Sequence, residues 1–183
     1  MPWSAVDTFS DPDDYAAAIR AGTAEVTVTG RGQFSAKRLR IDFHGLWMQR
    51  FSESLPRVLH AVNMRGRAGI MFCTRHGSSP LARGVEMQVG QITRYREGEE
   101  YYQVSTGPVC FGAMSLPVEE IASLGATMAG CDLSPPRHTL TITPLLGAMA
   151  RLSDCMRRPS IWQRMPRKSS PILMPLAGWS RRF

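Results

Sequence analysis

Residues 40–51 read RIDFHGLWMQRF, and the fold turns on how they alternate. The odd positions carry Ile41, Phe43, Gly45, Trp47, Gln49 and Phe51; the even ones carry Arg40, Asp42, His44, Leu46, Met48 and Arg50. Successive side chains of a strand point to opposite faces. This period of two therefore predicts one long strand, with the first set inward and the second, mostly polar set outward. Similar short runs surround it. Residues 25–29 alternate Glu-Val-Thr-Val-Thr and stop at Gly30-Arg31-Gly32. Residues 55–62, 68–74, 85–89, 91–96, 101–105 and 109–116 follow, separated by polar, Gly- or Pro-bearing breaks. Strands with turn signals every roughly eight to twelve residues predict an antiparallel sandwich or barrel.

Helical signals flank the strands. Ser10 or Asp11 can cap, Pro12 suits a first turn, and Asp13 and Asp14 favour the positive end of the helix dipole. Tyr15, Ala18 and Ile19 then share one side and Gly22 suits the stop, predicting a short N-terminal helix. Pro117, Glu119 and Glu120 open a second helix with Val118, Ile121, Leu124 and Met128 on one face and Gly130 at its end. LLGAMARL, residues 145–152, begins a third. The fold class is mainly β with flanking helices, α+β.

At 183 residues, 43% apolar and 20% charged, the chain can build a core without disulfide or metal staples. No apolar run approaches the ~20 residues of a membrane span. The acidic start, MPWSAVDTFSDPDD, lacks the basic region of a secretory signal, so a cytoplasmic protein with no membrane partner is expected. Cys73, Cys110, Cys131 and Cys155 are far apart, which reads as free thiols in a reducing compartment. The net charge is +7, but residues 154–183 carry seven basic side chains against one acid and supply +6 of it. Residues 1–153 hold 15 basic and 14 acidic side chains, a net of +1. The body is electrostatically ordinary and only the tail is basic.

A metal-dependent barrel enzyme needs imidazoles clustered on neighbouring strands. His44, His60, His76 and His138 form no H-x-H pair, and the hairpin REGEEYYQV offers only Glu99, Glu100, Tyr101, Tyr102 and Gln103. No G-x-S-x-G elbow is present, and Gly30-Arg31-Gly32 lacks the rest of a phosphate loop. The expectation is no catalytic residue, no metal and no cofactor. An apolar interior can still bind a small molecule. Phe43, Trp47, Phe72 and Tyr102 are the candidate lining residues, with plain core filling as the alternative.

Three stretches carry a resemblance: FSDPDDYAAAIRAG (9–22), LRIDFHGLWMQRFSESLPRVLHAV (39–62) and GAMSLPVEEIASLGATMAGCDLSPP (112–136). They resemble the N-terminal sensor half of AraC-type transcriptional regulators, over about residues 9–152 and most specifically over 41–51. The resemblance implies a cupin-like jelly-roll barrel followed by helices used for dimerisation. Its implied partners are a small-molecule effector and a second copy, and its implied role is effector sensing rather than catalysis. The runner-up is a cupin-like small-molecule enzyme or isomerase; a third reading is a small nucleic-acid binder working through its basic tail.

A full regulator of that family continues into two helix-turn-helix units. Residues 153–183 carry Pro159, Pro166, Pro171 and Pro175 and no helical period, so no DNA-binding residue is assigned there. The expected division is a sensing and dimerisation domain at 1–152 and a basic, Pro-rich, disordered tail at 153–183. Joining the last base of each tail codon to the first two of the next gives Leu at Asp154/Cys155. The same operation forces Ala at Trp162/Gln163, Met165/Pro166 and Met174/Pro175. These are good helix formers, as the family's continuation requires. The expectation is a single-base deletion near Ser153, giving a truncated product that binds no specific DNA.

Overall fold

The computed structural model describes residues 3–20, 22–74, 78–145 and 147–157. It opens on a strand that the sequence pattern does not signal, β1 (Trp3–Phe9). The expected short helix follows as α1 (Pro12–Ala18), capped by Asp11, whose Oδ1 accepts from the N–H groups of Asp13 at 2.8 Å and Asp14 at 3.1 Å. Then come β2 (Gly22–Val28), β3 (Ala36–Phe43), β4 (Leu46–Glu53), β5 (Arg57–Asn63) and β6 (Arg67–Cys73). Two-residue strands β7 (Leu81–Ala82) and β8 (Val85–Glu86) precede β9 (Ile92–Arg94), β10 (Glu100–Ser105) and β11 (Val109–Pro117). Helix α2 (Val118–Leu124) runs on as a π-helical turn, Gly125–Ala129, before β12 (Leu140–Ile142) and α3 (Ala148–Arg157).

The strands form two antiparallel sheets, ordered β1-β3-β4-β11-β6-β9-β12 and β2-β5-β10-β7-β8. The fold is mainly β with flanking helices, as the alternation and turn spacing predict. The sheets stack as a cupin-like sandwich and do not close into one barrel. Tyr15 of α1, Val26, Leu59 and Tyr101 from the smaller sheet, and Phe51, Met71 and Phe111 from the larger one form the core between them. The larger sheet is also covered on its other face. There Ile41, Phe43, Leu46, Met48, Ile70 and Phe72 are buried under α2, Leu133 and α3.

Residues 40–51 are a hairpin rather than one strand. Phe43 lies opposite Leu46, which leaves His44-Gly45 as a two-residue turn, with His44 at φ +52°. The turn splits the predicted inward set. Ile41 and Phe43, joined by Leu46 and Met48, face the helices. Trp47, Gln49 and Phe51 lie opposite Asp42, Arg40 and Arg38 and share the other face. A second departure is at the C-terminal end. Helix α3 passes the expected boundary at residue 152 and carries Met156 into the helix-covered core. Residues 158–183, the rest of the expected tail, lie outside the described residues, as does His76.

Candidate functional site

The four candidate lining residues do not come together. Phe72 is fully buried and Phe43 is 6% exposed, both under the helices rather than between the sheets. Tyr102 is 55% exposed on the outer face of the smaller sheet, where its ring stacks on His60 at 4.7 Å. Residue type and strand parity do not tell which face of each sheet is wet. Trp47 alone borders a cavity between the sheets.

That cavity is the mouth of the sandwich. It encloses about 50 Å³ and is floored by Met71, Tyr95, Tyr101 and Ala113. Its rim is polar: Arg20, Gln49, Asn63, Arg67 and Ser115 surround Trp47. Arg20 follows α1, and its backbone N–H and carbonyl are both held by the Gln49 side chain. Gln49 Nε2 donates to Arg20 O at 2.9 Å, and Arg20 N donates to Gln49 Oε1 at 3.1 Å. Arg20 Nη1 donates to both oxygens of Asp42 at 2.8 Å, and its guanidinium lies 4.1 Å over the Trp47 ring. Arg67, at the start of β6, lies over the same ring at 3.5 Å. Such cation–π contacts are worth ~0.5–1 kcal/mol where exposed and more where water is excluded.

Arg67 ties the mouth to the helices. Its Nε donates to Ser115 Oγ at 3.0 Å, and its Nη2 donates to Ser115 O at 2.9 Å and Gly45 O at 2.6 Å. Ser115 lies near the end of β11, from which α2 follows directly. Gly45 is where Glu120 of α2 comes down onto the hairpin, since a Cβ there would lie 2.5 Å from both Glu120 carboxylate oxygens. Burial, and then the neighbouring Arg20, lower the Arg67 guanidinium from its usual value. It stays a cation nonetheless. Burial pushes the Tyr101 hydroxyl on the cavity floor up to about 12, which keeps it a neutral phenol. Asn63 Nδ2 is sealed from solvent and donates to none of the described residues.

The far end of the sandwich is plugged by an ionic network. Glu53 and Arg57 are both fully buried, joined at 2.7 Å from Arg57 Nε to Glu53 Oε2. Tyr15 donates its hydroxyl proton to Glu53 Oε1 at 2.5 Å, and Arg57 Nη2 donates to Gln103 Oε1 at 2.5 Å. Gln103 in turn donates to the Met71 and Met87 sulfurs at 3.1 and 3.3 Å. With each polar atom partnered, this end serves structure. A wider cleft of about 480 Å³ opens along the seam between β8 and β12, where Arg83 and Thr139 both bond Glu99.

Among the described residues no group of three or more His, Cys, Asp or Glu side chains could hold a metal. Burial, and then Glu86, push the Cys73 thiol up to about 11, so at neutral pH it is a protonated thiol and a poor nucleophile. Sequence reading misses Arg20 and Arg67 because the first lies inside the predicted helix, which in the structure ends at Ala18, and the second in a break between strands. The polar stretch 63–67 reads as a turn, and only the β6–β11 pairing, with Arg67 opposite Pro117, returns Arg67 to the sheet end.

No family model matches this chain, and no curated protein does. Among solved structures, the AraC-like transcriptional activator CuxR matches at 12% identity with a TM-score of 0.49, over 97% of this chain and 75% of that one. A putative glyoxylate-induced protein from Pseudomonas aeruginosa matches at 13% identity with a TM-score of 0.39, over 69% of this chain and 53% of that one. Likenesses this distant carry no function to this chain.

Proposed function

We propose that this chain is an effector-sensing domain of the AraC type, with its effector held at the mouth of the sandwich. One observation carries the reading: an apolar cavity floor meets a rim of polar groups, one of them the Asn63 amide, whose buried nitrogen has no partner among the described residues. Unpaired buried donors are rare in folded proteins and mark places where a partner is missing. The sequence resemblance over residues 9–22, 39–62 and 112–136 supports the same role. The rim also offers a route outward. Whatever pulls on Arg67 pulls on Ser115 and Gly45, and so on the start of α2. Binding would thereby reach the helices proposed to dimerise.

The test is a library of small metabolites scored by thermal shift and by Trp47 fluorescence. An effector stabilises the folded state by mass action, about 2.7 kcal/mol at a hundredfold excess over Kd. A hit should also change Trp47 emission through the two guanidiniums over the ring. Thermal hits that all leave Trp47 unchanged would place the effector elsewhere and remove the mouth from the reading.

The same reading carries the frame change near Ser153, supported by the forced codon junctions beyond it. Sequencing the gene through codon 153 and the bases after it decides this point. An intact second frame encoding helix-turn-helix units would be the expected result. An intervening stop in that frame would overturn it.

A further inference from the structure

We infer that the mouth binds a small carboxylate, of about four to six non-hydrogen atoms, by its charged end; the inference rests on the sensing role proposed above and names its ligand class. The first observation is charge. Among the residues lining the cavity are two guanidiniums, Arg20 and Arg67, and no carboxylate. The nearest acids act from outside the lining. Asp42 is engaged by Arg20 Nη1, and Glu120 stands over Gly45. The second observation is uncommitted donors. Arg67 lines the cavity and bonds Ser115 and Gly45 through Nε and Nη2, which leaves Nη1 without a hydrogen-bond partner among the described residues. Asn63 Nδ2 has no partner among the described residues. The last torsion of an asparagine is soft, so a modest turn brings that amide to an incoming acceptor. A carboxylate is acceptor-only and can take hydrogen bonds from both groups at once.

The third observation is size. A cavity of about 50 Å³ has room for about four water positions. Benzoate or a sugar would have to displace the floor of Met71, Tyr95 and Tyr101, whereas acetate or pyruvate fits with little rearrangement. The floor also sets polarity. Two neutral phenol rings, their centroids 4.5 Å apart, and the Met71 thioether suit a methyl or short alkyl end. Charge at the rim and an apolar floor therefore orient the ligand carboxylate-outward.

The experiment is isothermal titration and Trp47 fluorescence on the full chain at fixed ionic strength. The probes are acetate, pyruvate, lactate and benzoate, with acetamide as the neutral counterpart of acetate and sodium chloride as control. Saturable binding of at least one short carboxylate is expected, with acetamide and benzoate at least tenfold weaker. Asn63→Asp keeps the shape of the side chain and adds a negative charge, so it should lower carboxylate affinity at least tenfold with an unchanged circular dichroism spectrum. Arg67→Gln should do the same; should it fail to fold, Asn63→Asp alone decides. Acetamide binding as well as acetate, or Asn63→Asp leaving affinity unaltered, would overturn the carboxylate while leaving a mouth-bound effector standing. If none of these carboxylates binds while the metabolite library yields a neutral or cationic ligand that perturbs Trp47, the ligand class is wrong and the sensing role survives. If nothing in either set perturbs Trp47, the carboxylate and the mouth both fall, and if nothing shifts Tm either, the sensing role falls with them.

Discussion

Phe72 and Tyr102 are both aromatic, both one step from an inward-facing neighbour, and the structure puts them in opposite surroundings. Phe72 has no exposure, and Tyr102 is 55% exposed. Phe72→Ala should therefore cost about 3–5 kcal/mol, the range for a core aromatic truncated to alanine. Tyr102→Ala should stay within about 0.5 kcal/mol, as surface substitutions do. Urea midpoints of the two variants check this pair, and a reversed order would mean the sheet faces are exchanged. Trp47 falls between them, because it is half-buried and held by two guanidiniums rather than by core packing. At the plugged end, Arg57→Met leaves Glu53 buried with only the Tyr15 hydroxyl as a partner. Removing one member of a buried ion pair costs about 3–5 kcal/mol, so this variant should be among the least stable single substitutions. A loss below ~1 kcal/mol would show that water reaches Glu53. Which rings exist is legible in the sequence; which face each one meets is not, because parity is counted from a turn whose position must already be known.

Elements show the same limit more sharply. Alternation over residues 40–51 continues unbroken through His44-Gly45, since the turn residues themselves obey the period of two. A turn with Asn or Asp before Gly is the usual signal, and histidine hides it. β1 escapes notice for another reason: its partner is β3, with Trp3 opposite Asp42, and pairing that distant leaves no local trace. By contrast α1 and α2 announce themselves through Asp11, Pro12 and the paired acids, which act within one helical turn. The hairpin makes a testable claim. His44 at φ +52° bears a side-chain penalty that glycine lacks, offset in part by glycine's larger loss of freedom on folding. His44→Gly should stabilise by about 0.5 kcal/mol, read as a small rise in Tm, and a fall in Tm would contradict the turn. Gly112 makes the opposite claim. A Cβ there would lie 2.6 Å from Phe72 Cζ and 2.9 Å from Met156 Sδ, and both side chains are held in a closed core. Gly112→Ala should cost about 1–3 kcal/mol by overpacking β11 against α3, and an unchanged urea midpoint would show that α3 is not docked there.

At the scale of the whole molecule, burial and charge are distributed unevenly. The larger sheet is covered on both faces, while the smaller sheet turns Tyr102 and Val104 outward. No pattern in the sequence measures the space left between two sheets, so the sandwich is legible in advance and the roughly 50 Å³ mouth is not. Charge is legible in advance, because it needs only counting. Residues 1–153 carry a net of +1, and residues 154–183 carry +6. A specific DNA reader needs a helix or ribbon fixed in a groove so that side chains reach base edges. A surplus confined to one stretch supplies phosphate contacts instead, and these neutralise charge without reading sequence. If all seven cations of that stretch met phosphates, the logarithm of affinity would fall with log salt at a slope of about −6. These 183 residues on their own should therefore retard any duplex weakly at low salt. They should lose it by ~0.15 M, where screening sets in over about 8 Å. Gel-shift titration against a promoter panel and random DNA, repeated across salt concentrations, makes the measurement. A reproducible tenfold preference for one sequence at ~0.15 M would overturn the prediction and make the basic stretch a recognition element, since screening removes non-specific contacts before it removes base contacts.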